Sequence, residues 1–455
     1  MNRRQALKTL GNGFGMLGLA DLLHGEAVRN PLAPKPPQFP AKAKQVIFLF
    51  LNGGISQVDT FDPKPMLTKH HGEPMPGPKI KTDRASGNLM RSPFTFQKYG
   101  QSGIEVSEIF PKVGACIDDI CVIRSTYTDI GNHPAGLLMM NCGHTQLGRP
   151  SLGSWLTYGL GTENQNLPGF VVLCPGYPTF GAQLWSSAFL PSNYQGTYIP
   201  NSEKTPEKMV RNIRNPKFGE QERQLDLLSG LNKSYLSHLG SQPELEGAIQ
   251  SMEVAFRMQT EAPEVFDITK ESESTRARYG SGDFGRGCLM ALRMIERGVR
   301  MVEVYFGNGQ PWDSHDDILV HAKLAREADG AISSLIGDLK SRGLFDSTIL
   351  LIGSEFGRTP MIQNSALEKV ANGRDHNPPG FTTLIAGGGF KGGLAYGTTD
   401  DFGFKAAENP VHVHDVHATM LHQLGIDPTK LTYRYSGRDF RLTDVAGNVV
   451  KDLLA

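Results

Sequence analysis

Four short stretches gather the side chains best able to hold a metal ion or move a proton. They are Trp312-Asp313-Ser314-His315, Ser354-Glu355-Phe356-Gly357-Arg358, Gly373-Arg374-Asp375-His376 and Asn132-His133. Carboxylate oxygen combined with imidazole nitrogen suits Zn²⁺, Mn²⁺ or iron, and no thiolate pattern competes with that reading. A histidine beside an aspartate is, taken singly, an ordinary helix cap or loop hydrogen bond. The weight comes from recurrence, because each stretch lies next to a short apolar run. Asn52, directly after the first such run, adds a further oxygen donor. Arg358, Arg374 and Lys391 fall in the same loops. A guanidinium there suits a phosphate or sulfate group, or serves as charge partner to Glu355 or Asp375.

The apolar runs are the elements that must position these residues. Val46–Leu51, Ile120–Arg124, Phe170–Cys174, Met301–Phe306, Thr348–Gly353 and Phe381–Ala386 read as strands buried on both faces. Between them lie helical patterns. In Asp317–Arg342, Ile318, Ala322, Ala325, Ile332, Leu335 and Leu339 share one face, and Gly343 supplies the stop. Strands alternating with helices predict an α/β fold: three layers, with a mainly parallel central sheet flanked by helices. Ligands of such sheets bind beyond the carboxyl ends of the strands, where the candidate residues fall. The expected domain covers 45–450, with 200–275 as a helical insertion or cap. The aromatic loop Tyr177–Tyr198 would wall a pocket or pack internally. His414 and His417 would sit near the start of a helix capped by Asp415. Gly387-Gly388-Gly389 lacks the dinucleotide-binding spacing and predicts a tight turn.

The chain has 455 residues with 46 Lys+Arg against 46 Asp+Glu, so no overall charge draws it to nucleic acid. Five cysteines without a C-x-x-C argue against a zinc ribbon or a disulfide scaffold. Residues 1–30 resemble a twin-arginine signal: Arg3-Arg4 precede a weak apolar run from Leu10 to Leu23, too short for the roughly 20 residues a membrane helix needs. The prolines of 31–44 read as an extended linker. The expectation is a periplasmic or extracellular protein with no integral membrane span and an oligomeric state left open.

The motifs Asn-Gly-Gly with Asp-Thr-Phe-Asp-Pro-Lys-Pro (52–65), Trp-Asp-Ser-His (312–315), Gly-Ser-Glu-Phe-Gly-Arg-Thr-Pro (353–360) and Gly-Arg-Asp-His (373–376) resemble the exported bacterial family known as domain of unknown function 1501. That family is similar in turn to the alkaline phosphatase and sulfatase superfamily, α/β enzymes with one or two metal ions at the carboxyl edge of the sheet. The resemblance implies metal ligands at Asp313 with His315 or a neighbour, at Glu355, at His376 and at Asn52, which replaces an aspartate. It places the nucleophile position near Asn132–His133. Phe356 stands where a metal histidine would be. No Cys-x-Pro-x-Arg is present for a formylglycine, and Ser125, Thr126 and Thr128 are out of register for a hydroxyl nucleophile.

These features imply an exported hydrolase of an anionic ester, phosphate or sulfate, on a small molecule or saccharide. It would use a divalent ion (Zn, Mn, Fe or Ca) and its bound water. His133 would be general acid or base, and Arg358 or Arg374 would steady developing charge, with Asp375 and Asp316 in support. The alternative is a non-catalytic exported binding protein on the same fold with a degraded site.

Overall fold

The computed structural model describes residues 30–77, 82–210, 218–239, 243–363 and 372–455. Its strands include β1 (Gln45–Phe50), β2 (Ser86–Leu89), β3 (Ile120–Tyr127), β4 (Phe170–Leu173), β5 (Thr197–Ile199), β6 (Met301–Tyr305), β7 (Thr348–Gly353), β8 (Gly357–Gln363), β9 (Arg374–Asn377), β10 (Phe381–Ala386), β11 (Leu394–Tyr396) and β12 (Val411–His412). The longer helices are α1 (His133–Cys142), α2 (Leu152–Leu160), α3 (Phe218–Leu239), α4 (Pro243–Val265), α5 (Asp283–Glu296), α6 (Val320–Ser341) and α7 (Val413–Gln423). The twin-arginine stretch lies outside the described residues, apart from Asn30.

All six expected strands enter one central sheet in the order β11-β3-β10-β7-β1-β6-β4-β5, with β12 also pairing β3. Val46 to Phe50 point alternately to opposite faces and every one is 0% exposed, so both faces of the sheet are covered. The pairs β1·β6, β1·β7, β4·β6 and β4·β5 are parallel. β10 alone runs against the rest, antiparallel to both β3 and β7. This reversal decides which loops meet. Residues that follow the parallel strands and residues that precede β10 lie at the same edge, so His376 joins Asp313 and His133 there. Lys391, which follows β10, lies at the opposite edge, where its Nζ donates to the Asp452 carbonyl at 3.0 Å.

The helix read over 317–342 begins at Val320. Asp317 instead accepts from Leu319 N at 2.9 Å and from the Asn372 amide at 3.0 Å. That contact holds the chain after His315 against the segment that carries His376. The prolines of 31–44 lie along the body: Lys35 N donates to Leu160 O, Gln38 N to Gly425 O and Lys42 N to Gln423 O. Between 200 and 275 the long elements are α3 and α4. Among the described residues, no helix is long and apolar enough to cross a membrane.

A second, three-stranded sheet of order β9-β8-β2 stands at the carboxyl edge and pairs Arg358 with His376. Arg374 anchors it from within. Expected to steady charge on a substrate, Arg374 is instead fully buried, giving Nε to Asp59 Oδ2 at 2.7 Å and Nη2 to Asp59 Oδ1 at 3.1 Å. Its remaining donors reach the Thr359 and Met90 carbonyls. Gly373 is required by a close approach, because a Cβ there would meet the His315 carbonyl oxygen at 1.8 Å.

Two outcomes follow from this packing. Arg374→Met strands a buried carboxylate and destabilises the fold by about 3–5 kcal/mol in denaturant titration. Gly373→Ala, which forces the backbone beside His315 apart, costs about 1–3 kcal/mol and lowers the calorimetric Tm.

Candidate metal centre

Asp313 and His315 from the loop after β6, His376 from strand β9 and His133 from the start of α1 converge. One ligand atom from each lies within 4.8 Å of all the others. Asp313 Oδ1 is 2.9 Å from His315 Nε2, 3.3 Å from His133 Nε2 and 3.5 Å from His376 Nε2. His315 Nε2 and His376 Nε2 are 3.0 Å apart.

Each imidazole has its other nitrogen committed, which fixes the tautomer. His376 Nδ1 lies 2.6 Å from the Gly131 carbonyl, an obligate acceptor, so Nδ1 carries the proton. His133 Nδ1 faces the Glu355 carboxylate at 2.7 Å, and His315 Nδ1 faces the Gln363 side-chain oxygen. Three Nε2 lone pairs and a carboxylate oxygen therefore point at one another. His133 Nε2 is buried and makes no hydrogen bond. Four acceptors in contact with no donor between them repel, and a cation relieves that repulsion. The spacing fits one: atoms bound at about 2.0–2.1 Å to a tetrahedral centre lie about 3.3 Å apart.

Electrostatics follow the same logic. Burial favours the neutral form of Asp313, but in the metal-free ring imidazoles that take up a proton donate to it, and with the Arg358 guanidinium they hold it well below the usual carboxylate range. Burial works against protonation of His133, but Asp313 and Glu355 on either side raise its pKa on balance. His376 is lowered, by burial first and then by Arg358 and the neighbouring imidazoles, against the pull of Asp313. The ring accepts one positive charge far more readily than several.

The supporting groups explain where the remaining candidates lie. Arg358, expected to meet substrate, is fully buried behind Asp313. Its Nη2 donates to Asp313 Oδ1 at 2.7 Å and also to Gly53 O, while Nε reaches Gly54 O at 2.8 Å and Nη1 reaches Arg374 O at 3.2 Å. Glu355, expected as a ligand, turns its oxygens elsewhere. It accepts from Gly53 N at 3.0 and 3.1 Å and from Ser354 Oγ at 2.9 Å, besides facing His133. Burial pushes its pKa up, but the His133 contact outweighs this and leaves it lowered. Asn52 is also outside the ring, its amide nitrogen donating to the Gly307 and Gly309 carbonyls. Gly53 stands at φ +120°, and a Cβ there would meet Asp313 N at 2.6 Å, so only glycine lets these loops touch. Phe356 forms the floor, its ring centroid 4.9 Å from that of His133 and 4.4 Å from that of His376.

Gln363 and His321 were not expected from the sequence. Gln363 orients His315. His321 is fully buried, and burial pushes its pKa down to about 3. Its Nε2 accepts from Ser56 N and its Nδ1 faces Ser314 Oγ, each at 3.1 Å, which fixes the residue between Asp313 and His315. A histidine inside a helix start gives no sequence signal of that task. Asp375 accepts from His376 N and Arg84 N. His417 lies apart from the ring, its Nε2 2.9 Å from the Met140 carbonyl. Rings of the 177–198 loop stack on one another, as in Trp185 on Tyr198 at 5.8 Å. The cavity against His376, of about 510 Å³, is lined instead by residues such as Thr128, Asn132, Pro378 and Phe404.

No curated protein matches the chain by sequence. Solved structures that it resembles include the lipoteichoic acid synthase LtaP from Listeria monocytogenes (11% identity, TM-score 0.36, covering 91% of this chain and 79% of that one). Another is the zinc complex of the C-terminal periplasmic domain of EcEptC from Escherichia coli (9%, 0.35, 93% and 99%). A third is the PsFucS1 sulfatase from Pseudoalteromonas sp. (10%, 0.34, 84% and 68%). A family model described as "Protein of unknown function (DUF1501)" matches residues 43–454, nearly the whole described chain, and the protein belongs to that family.

Proposed function

We propose that this protein is a metal-dependent hydrolase of a phosphate or sulfate ester, working outside the cytoplasm after export by the twin-arginine route. The observation that carries this reading is the convergence of three Nε2 lone pairs and Asp313 Oδ1 within 4.8 Å. Three imidazoles with one carboxylate favour Zn²⁺, Mn²⁺ or Fe²⁺ over Ca²⁺, which prefers an all-oxygen shell. A divalent ion held there would polarise an ester oxygen and bring the pKa of a bound water to about 7.

The chain's own residues do the rest. His133, His315, His376 and Asp313 are the ligands. Glu355, Gln363 and the Gly131 carbonyl orient the rings, and Arg358 fixes Asp313. Asp313, Glu355 and the buried Asp375 stand about one guanidinium, that of Arg358, so with neutral histidines the site carries an excess of negative charge. A divalent ion held by the ring would offset that charge for an anionic ester entering the cavity beside His376. Ser125 Oγ is spent on Asn409 O and Thr126 Oγ1 on Ile123 O, so neither of these hydroxyls is free to attack, and a metal-bound water would be the attacking group. Thr128 lines the cavity with a buried hydroxyl that lacks a partner, and it is placed to bond an ester oxygen.

Elemental mass spectrometry on protein exported by its own signal should find about one equivalent of transition metal. Asp313→Ala and His376→Ala should each lose it, with hydrolysis of a phosphate and sulfate ester panel lost in parallel. Folded wild-type protein without metal or turnover would favour a binding protein on this fold. Glu355→Gln keeps a neutral acceptor for His133 and should hold the ion about 10- to 100-fold more weakly in chelator competition. Binding should also weaken as the pH falls, beginning above the ordinary histidine value of about 6.5, because His133, whose pKa is raised, must be neutral to bind the ion.

A further inference from the structure

A second cavity, of about 300 Å³, adjoins the one beside His376, and Asp129 lines both. The loop from Asp129 to Asn132 is their common wall: Gly131 and Asn132 face the cavity of the metal ring, Ile130 the second one. Across four residues of chain the two spaces lie within about 13 Å of each other.

The second cavity carries unspent hydrogen-bonding groups. His414 has its Nε2 2.7 Å from the Gly143 carbonyl, so Nε2 holds the proton and Nδ1 is an acceptor. That Nδ1 is buried and has no partner. Thr443 is 0% exposed and its Oγ1 is likewise buried without a partner. Both residues line the cavity. An imidazole acceptor beside a hydroxyl suits a ligand bearing its own hydroxyl groups. Asp444, also in the wall, is held at φ +49°, a left-handed conformation that an aspartate adopts at some cost.

Two cationic groups lie beside the wall residues, outside the lining itself. Arg149 and Arg438 set their guanidinium carbons 4.3 and 4.8 Å from the centre of the Phe440 ring. Arg438 pairs with Asp444, whereas Arg149 has no carboxylate within ion-pair distance among the described residues. Arg149 also lies close enough to His144, in the cavity wall, for their charges to interact. Its free guanidinium fits a sulfate or phosphate substituent.

We infer that the His414/Thr443 cavity is a second subsite, which takes the next disaccharide unit of a polyhydroxylated, anionic chain whose first disaccharide presents its ester group to the metal ring. The inference rests on the hydrolase reading above and narrows its substrate from any anionic ester to an oligomeric, saccharide-like one. Thr443 Oγ1 and His414 Nδ1 bind hydroxyls of that unit, and Arg149 binds its charged substituent.

Calorimetric titration of the full chain tests it, with heparin-derived oligosaccharides of increasing length, dextran oligomers and inorganic sulfate as probes and metal content measured alongside. Going from the sulfated disaccharide to the tetrasaccharide should tighten binding by about tenfold, or about 1.4 kcal/mol. Dextran oligomers should show no such gain. Arg149→Gln and Thr443→Val should each remove most of the gain, with metal content, Tm and disaccharide affinity unchanged. Equal affinity at every length, a gain that survives both substitutions, or no binding by any oligomer overturns the subsite. Absence of metal or of ester turnover in the wild type would overturn the hydrolase reading instead, and the length dependence reads separately from either.

Discussion

Arg358 is the contact on which the rest of this edge depends. Its guanidinium is fully buried and joins three stretches of backbone, at Gly53-Gly54, Trp312 and Arg374, to the Asp313 carboxylate. A buried guanidinium is costly unless every N–H is used and an opposite charge is near. Here one carboxylate and four carbonyls meet that condition together. The loops after β1 and β6 and the strands β8 and β9 thus share one acceptor inventory, and none of them moves without stranding donors of another. That rigidity lets Asp313 stay ionised while it faces three imidazoles.

The single antiparallel strand makes the convergence possible. In a wholly parallel sheet the segment preceding a strand lies at the amino edge. Reversal of β10 brings the segment ahead of it, with His376 and Asp375, to the carboxyl edge and leaves room there for the small β9-β8-β2 sheet. That sheet then holds Gln363 and His376, so the groups orienting two of the three imidazoles come from chain that follows β7. The glycines at 53 and 373 work at the same level, because each marks a place where two loops of the site touch backbone to backbone.

Much of this was legible in the sequence, and the limits have physical causes. Six continuous apolar runs became six strands of one sheet because burial on both faces leaves no polar alternation to read wrongly. Asp313, His315, His376 and His133 were identifiable as donors because they cluster beside strand ends. The arginines were misread as substrate contacts because sequence shows a charge but not its partner. Arg358 and Arg374 find theirs in Asp313 and Asp59, the latter more than 300 residues away along the chain. Glu355 turns to His133, and a carboxylate that would touch a metal and one that touches a histidine look alike in sequence. The start of α6 came three residues later than its periodicity suggested, since Asp317 is drawn off to Asn372.

The departures from the alkaline phosphatase pattern form one coherent change rather than scattered losses. A second ion next to the first would need donors from Asn52, Glu355 and position 356. Glu355 has its oxygens taken by Gly53 N, Ser354 Oγ and His133 Nδ1, and Phe356 offers only a ring. Asn52 spends its amide nitrogen on two carbonyls, which leaves one buried oxygen without a partner. One neutral oxygen cannot hold a divalent ion in a dry site. The same Phe356 packs beneath His133 and His376, so the residue that removes a second site also stiffens the first. His133, at the start of α1, turns its Nε2 into the ring beside Asp313. A ring with this donor set would hold one ion, and the hydrolysis proposed above would need neither a second metal nor a serine.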